Sequence, residues 1–365
     1  MQSLFSLSHW IGCESEAGCS ALHLEGKLAQ KTLRVAVIGM GHIGSLHTSI
    51  YKDEPLCETV GVCDRISERA EAGRERFGVP CFLSAQEMLD SLKPDVVSVA
   101  TGGYEYCSDH YEPTMQALEA GCHVLCEKPI SDDLAHAAEM VSLAKERGLC
   151  FALDFNHRFT PAARIAKSWL DEGRLGELLF VNMALWIGRP QDEDSEVYHL
   201  KALNPHSIDM IRHFCGNIMQ VQCFGMKASG RTMWSTTGIN LKLENGMVGH
   251  LTSSYDIGRG HPMERCEVAG VDGRFVLEDM WREATLYPTD TLTKQVYTNP
   301  VFGGFGGFDD TFRERLHTFV VQVFEGVSPD QIDGTGEDGL EAQRVIHAAI
   351  ASLKTGSVVA VADIQ

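Results

Sequence analysis

LRVAVIGMGHIGSLH, residues Leu33 to His47, decides how the rest of this chain is read. Its first half is a short apolar run, Val35 to Ile38, with the composition of a buried strand. The run breaks at Gly39, and Gly41 and Gly44 follow before helical spacing sets in. Strand, tight turn and helix start with glycines at that spacing form a dinucleotide-binding fingerprint. Gly39 permits the sharp turn, Gly41 lets backbone approach a pyrophosphate, and Gly44 lets the helix pack hard against the strand. The backbone of Gly39, Met40, Gly41, His42, Ile43 and Gly44 is therefore the expected seat of a diphosphate, at the positive end of the helix.

The next apolar run, Thr59 to Cys63, ends at Asp64. A carboxylate there accepts the ribose hydroxyls of an adenosine and repels a 2′-phosphate, which favours NAD over NADP. Arg65 beside it keeps the other reading open, because a guanidinium holds such a phosphate. Further on, Asp95 to Ala100, Cys122 to Cys126 and Cys150 to Phe155 read as buried strands, with helical spacing between them and Gly121 and Gly148 as stops. Ser67 and Ser84 are the expected helix caps, Ser84 with Glu87 in a capping box. Residues 33–155 are thus expected to form a doubly wound α/β Rossmann domain with a parallel sheet.

After a helix over about Pro161 to Leu170 the pattern changes. Leu178–Trp186, Met219–Met226, Gly238–Leu243, Met247–Ser254, Glu264–Ala269, Arg274–Leu277 and Lys294–Tyr297 follow one another as strand-like segments, with Glu244-Asn245-Gly246 as a hairpin turn. Two helices close the chain, Asp310 to Phe324 and Asp338 to Thr355. Residues 156–365 therefore read as an α+β domain with a mostly antiparallel sheet. Residues 1–32 lack a basic start and a long apolar stretch, and are expected to be an extension with little order rather than a signal peptide.

A formal charge of -19, with no basic stretch to offset it, argues against nucleic acid or an anionic membrane as partner and favours a small, polar, uncharged molecule. The 12 cysteines include no CxxC pair and read as reduced thiols of a cytoplasmic protein. No apolar run is long enough to span a membrane.

Two stretches carry chemistry. Glu127-Lys128-Pro129 follows a buried strand, where open parallel sheets place their ligands. Lys128 there can donate to a substrate hydroxyl and stabilise the alkoxide character that develops as hydride leaves. Pro129 fixes the turn and is a candidate for a cis bond. Asn204-Pro205-His206-Ser207-Ile208-Asp209 reads as a helix start, with Asn204 as cap and Pro205 in the first turn. The positive helix end would then lower the pKa of His206 and keep it available as a base for the hydroxyl proton. Asp209 would orient that imidazole or bind a substrate hydroxyl. His206, Asp209 and His213 share a helix face, but one face seldom supplies a full metal shell, so no metal is expected.

Together, Val35 to Gly44, the run Ala120 to Pro129, Asn156-His157-Arg158-Phe159 and His206-xx-Asp209 resemble the glucose-fructose oxidoreductase and myo-inositol dehydrogenase family. The resemblance spans about residues 33 to 362. It implies a large open sheet in the second domain, used for homodimers or homotetramers. It also implies NAD(P)-dependent oxidation or reduction of a sugar or cyclitol, with Lys128 and His206 as the catalytic pair. Asn156, Arg158 and Asp209 would contact substrate, and Thr101, Arg65, Glu127 and Lys128 would contact the cofactor. An NAD-dependent glycoside hydrolase and a non-catalytic nucleotide-binding protein are the alternatives on the same fold. The chain departs from the family twice. Ala202 stands where many members carry an aspartate four residues before the histidine, so the orienting role passes to Asp209, Tyr198 or His199. A longer loop, GGYEYCSD, separates Thr101 from His110.

Overall fold

The apolar run of the fingerprint forms β1 (Leu33–Ile38), whose Val35, Ala36 and Val37 are fully buried. The computed structural model describes residues 32–102, 110–188, 195–258 and 263–364. The N-terminal extension up to residue 31, most of the GGYEYCSD loop and part of the loop between Trp186 and Tyr198 lie outside the described residues.

Five more strands join β1: β2 (Cys57–Cys63), β3 (Cys81–Phe82), β4 (Val96–Val99), β5 (His123–Cys126) and β6 (Phe151–Leu153). All pairings are parallel, and the order is β3-β2-β1-β4-β5-β6. The chain reverses its direction of travel across the sheet between β1 and β4. That switch point opens a crevice above their carboxyl ends, the place where such sheets hold ligands. Helices α1 (His42–Asp53), α2 (Ser67–Phe77), α3 (Ala85–Leu92), α4 (Tyr111–Glu119) and α5 (Leu134–Arg147) connect the strands. Ser84 caps α3 as expected, accepting from the Glu87 amide. Ser67 does not cap α2; the cap position is Ile66, whose own amide donates to Asp64.

The second sheet is mixed and mostly antiparallel. It comprises β7 (Leu178–Trp186), β8 (Ile218–Met226), β9 (Thr236–Leu243), β10 (Val248–Ser254), β11 (Glu264–Gly270), β12 (Gly273–Glu278), β13 (Glu283–Pro288), β14 (Gln295–Thr298) and β15 (Val359–Ala360). Their order is β14-β13-β12-β11-β7-β10-β9-β8-β15, and among the described pairings only β7 with β10 is parallel. β13 is absent from the sequence expectation, since Glu283 and Pro288 break its short apolar stretch. One face, with Val181, Met183, Leu241, Leu251 and Phe275, is buried beneath helices α6 (Pro161–Asp171), α7 (Tyr198–Cys215) and α9 (Gly336–Thr355).

Two elements cross the expected boundary at residue 155. Helix α8 (Asp309–Glu325) packs Phe312, Leu316, Phe319 and Val320 into one core with Val35, Val37 and Leu125 of the parallel sheet. A parallel sheet must be covered on both faces, and α1 and α2 leave the β5–β6 end of this one open. α9 packs against α5 and β6 on one side and α7 and β8 on the other.

Candidate active site

The crevice at the switch point widens into a cavity of about 1710 Å³ that reaches from the glycine turn to α7. Gly39 has φ +97°, and a Cβ there would lie 2.4 Å from the Ala100 carbonyl oxygen. A Cβ at Gly44 would lie 1.6 Å from the Gly39 oxygen, so α1 can sit this close to the turn only with glycine. Gly41 differs: a Cβ there would meet nothing within 4 Å. No side chain caps α1, so its first amides face open space beside Gly41. The cradle fits a diphosphate for that reason.

Gly39, Gly41, His42 and Ile43 line the cavity, as do Asp64 and Arg65. Met40 and Gly44 do not: the Met40 side chain turns inward beneath Gly73, and Gly44 is spent on the helix contact. Asp64 accepts from the Met40 amide through Oδ2 and the Ile66 amide through Oδ1, both at 2.8 Å. It thus fixes the glycine turn while lining the place for an adenosine ribose.

Thr101, Glu127 and Lys128 line the far end of the crevice. His110 bridges the carbonyls of Pro129, at 2.7 Å, and Thr101, at 3.0 Å, tying the two loops together. The Lys128–Pro129 bond is cis. Beneath them lies a buried cluster that sequence reading missed. His47 Nε2 stands 3.1 Å from Asp154 Oδ2 and 3.4 Å from Glu127 Oε1, and His47 Nδ1 is 2.8 Å from Ser98 Oγ. Burial opposes charge on His47, but the bonds to Asp154 and Glu127 outweigh it and push its pKa up to about 9. Burial and the neighbouring Glu127 push Asp154 up to about 6. His47 sits one turn along α1 from Gly44, a position the fingerprint does not use; that was its only sequence signal.

Lys128 reaches across to α7, where its Nζ donates to the Ala202 carbonyl at 3.3 Å, and His206 lines the same cavity one turn later. Here the expected local structure is corrected. α7 begins at Tyr198, so Pro205 lies inside it and Asn204 is no cap. Fifteen of the 18 residues of α7 are buried; that packing overrides the breaking tendency of proline. His206 is consequently far from the positive helix end. Burial first, then the charges of His157 and Lys128, hold its pKa well below the ordinary value, so it is neutral for a different reason from the one expected.

Asn156, Arg158 and Asp209 are not on the cavity wall. Arg158 donates to both oxygens of Asp209, through Nε at 2.8 Å and through Nη2, and to Asp338 Oδ2 at 3.5 Å. Burial works against the Arg158 charge, but Asp209 and Asp338 outweigh it and hold its pKa above the ordinary value. Both Asp209 oxygens are bonded to Arg158, and among the described residues Asp209 is neither bonded to His206 Nδ1 nor on the cavity wall. Asn156 is fully buried and donates to Thr311 Oγ1 at 2.7 Å. His199 is buried edge-on to Tyr255, both ring nitrogens without hydrogen-bond partners among the described residues, and burial lowers its pKa to about 3. His206 instead meets His157, a residue quoted in the sequence motif but given no role there.

The geometry agrees with comparisons to known proteins. Residues 33–155 match an oxidoreductase family with an NAD-binding Rossmann fold, and residues 163–276 match the GFO/IDH/MocA C-terminal domain. D-glucoside 3-dehydrogenase of Escherichia coli is 39% identical over 160 residues, 42% of this chain and 44% of that protein. Myo-inositol 2-dehydrogenase of Thermotoga maritima is 26% identical over 88% of this chain and 96% of its own length. Among solved structures, levoglucosan dehydrogenase with NADH and levoglucosan superposes with a TM-score of 0.81 at 22% identity, over 91% of this chain and 100% of that one. The chain belongs to the GFO/IDH/MocA family of oxidoreductases, and its first domain is of the NAD-binding kind.

Proposed function

We propose that this protein is an NAD-dependent dehydrogenase that moves a hydride between nicotinamide and a secondary hydroxyl or ketone of a sugar, cyclitol or related polyol. The observation that carries this reading is the meeting of Lys128 and a neutral His206 on one cavity wall that begins at the glycine cradle. The dehydrogenase names of the relatives support the substrate class.

Gly39, Gly41, His42 and Ile43 would hold the diphosphate, Asp64 the ribose, and Thr101 and Glu127 the nicotinamide end. When bound, NAD supplies the hydride acceptor. Lys128 donates a hydrogen bond to the substrate oxygen and stabilises its developing negative charge. His206, neutral before turnover, takes the hydroxyl proton on its imidazole. Asp64 repels a 2′-phosphate, which supports NAD over NADP as the working cofactor.

The other partner of this reading is a second copy of the chain. The face of the nine-stranded sheet opposite the helices exposes Phe224, Met226 and Val248, an apolar surface suited to a homodimer or, doubled, a homotetramer. The nine described cysteines are all free thiols, and none of the described helices is long and apolar enough to cross a membrane; the thiols support a reducing, cytoplasmic setting.

The test is a panel of sugars and cyclitols with NAD and NADP, read by NADH absorbance and by product analysis. At least one polyol should be oxidised with NAD. Lys128→Met and His206→Ala, folded as the parent, should each lower turnover about a hundredfold or more. Near-parental rates in both variants would overturn the assignment, and sugar release without net NADH would identify a hydrolase instead.

A further inference from the structure

Among the described residues no carboxylate is bonded to the His206 ring. Ala202, one helical turn earlier, offers only a methyl group, and Asp209 gives both its oxygens to Arg158. The Nδ1 of His206 is buried without a hydrogen-bond partner among the described residues. A second imidazole stacks on the ring instead. His157 lies flat against it, with centroids 4.2 Å apart and planes within 3°. His157 is gripped in turn: its Nδ1 stands 2.6 Å from Glu264 Oε2, and both side chains are almost fully buried. Phe308 closes on its edge at 6.2 Å.

We propose that His157 is the positioning residue for the base, holding the His206 ring at the cavity wall and backing it with the charge of Glu264. This rests on the reading of His206 as the base. A carboxylate accepts only, so Nδ1 of His157 carries the proton and donates it to Glu264, which fixes the tautomer. The ring held this way presents its face to His206. When His206 takes a proton, the Glu264 carboxylate behind the stacked ring is the counter-charge that the pair supplies. His157 and Lys128 both work against charge on His206, and the Glu264 carboxylate offsets them. The pair His157–Glu264, brought from the turn after β6 and from β11, therefore does what an acid at position 202 would otherwise do.

Two variants separate ring from charge. His157→Asn keeps an amide donor near Glu264 and removes the stacked ring. Glu264→Gln keeps an acceptor for His157 and removes the charge. The His206 ring protons, assigned by their loss in His206→Gln, are followed by NMR in the full chain without substrate. Lying under another ring, they should resonate upfield in the parent and move downfield in His157→Asn, with a smaller movement in Glu264→Gln. On the best polyol, both variants should lose about tenfold in kcat, with KM and the NAD dissociation constant within about twofold. A merely structural role would lower the melting temperature and leave kcat of the folded protein unchanged. Parental His206 signals in His157→Asn, or parental kcat in both variants, overturn the proposal; if one variant fails to fold, the other decides by the same criteria. If the parent oxidises no polyol, the dehydrogenase reading fails, while the NMR signals still decide whether His157 positions the ring.

Discussion

Gly41 and Gly44 stand three positions apart and respond oppositely to the same chemical change. A Cβ at Gly44 collides with the Gly39 carbonyl, so Gly44→Ala must push α1 off the turn. Overpacking of this kind costs about 1–3 kcal/mol or more, and the melting temperature should fall with or without NAD. A side chain at Gly41 enters open space, so Gly41→Val should melt like the parent without cofactor, yet bind NAD at least about tenfold more weakly because it fills the diphosphate seat. Calorimetric titration beside thermal melts checks both, and parental NAD affinity in Gly41→Val would remove the diphosphate from this turn. The glycines were legible in the sequence because their roles are backbone roles fixed by spacing. His157 and Glu264 were not: they lie far apart along the chain, and nothing local to either indicates that the other fixes its ring.

At the scale of elements, α7 marks the limit of local reading. Asn204-Pro205 has the chemistry of a helix start, and a solvated chain would use it so. Here the turns before it bury Tyr198, His199, Leu200, Ala202 and Leu203, and that burial extends the helix backward through the proline. Strand segments fared better, since alternation along β7 to β12 follows directly from having one buried face; β13, short and bounded by Glu283 and Pro288, carried too little of that signal. The same tertiary packing ties Asp209 into the fold. It links α7 to Arg158 in the turn after β6, and Arg158 continues to Asp338 in α9. Asp209→Ala leaves a buried guanidinium short of its main counter-charge, a loss of about 3–5 kcal/mol. Urea unfolding should therefore show a large drop in stability, with substrate KM in the remaining folded protein close to parental. A raised KM with unchanged stability would return Asp209 to the substrate.

For the whole molecule, two sheets share one set of closing helices. α8 completes the cover of the parallel sheet and α9 fills the seam between the sheets, so the boundary expected at residue 155 separates sheets better than it separates cores. Covering by helices stops at the outer face of the nine-stranded sheet. There Val248 pairs with Phe180 on one side and Lys242 on the other, and Phe224 pairs with Gly238, so the pleat sends these side chains to the same open surface. Phe224 and Val248 are each more than half exposed, an arrangement that leaves apolar area in water unless another surface covers it. If that surface is a second copy, Phe224→Glu combined with Val248→Glu places like charges across a symmetric interface and should convert the oligomer to a monomer by light scattering at micromolar protein. The cavity and the glycine cradle lie outside this face, so NAD affinity of the monomer should stay within about twofold of parental. An oligomer of unchanged mass in the double variant would move the contact to another surface.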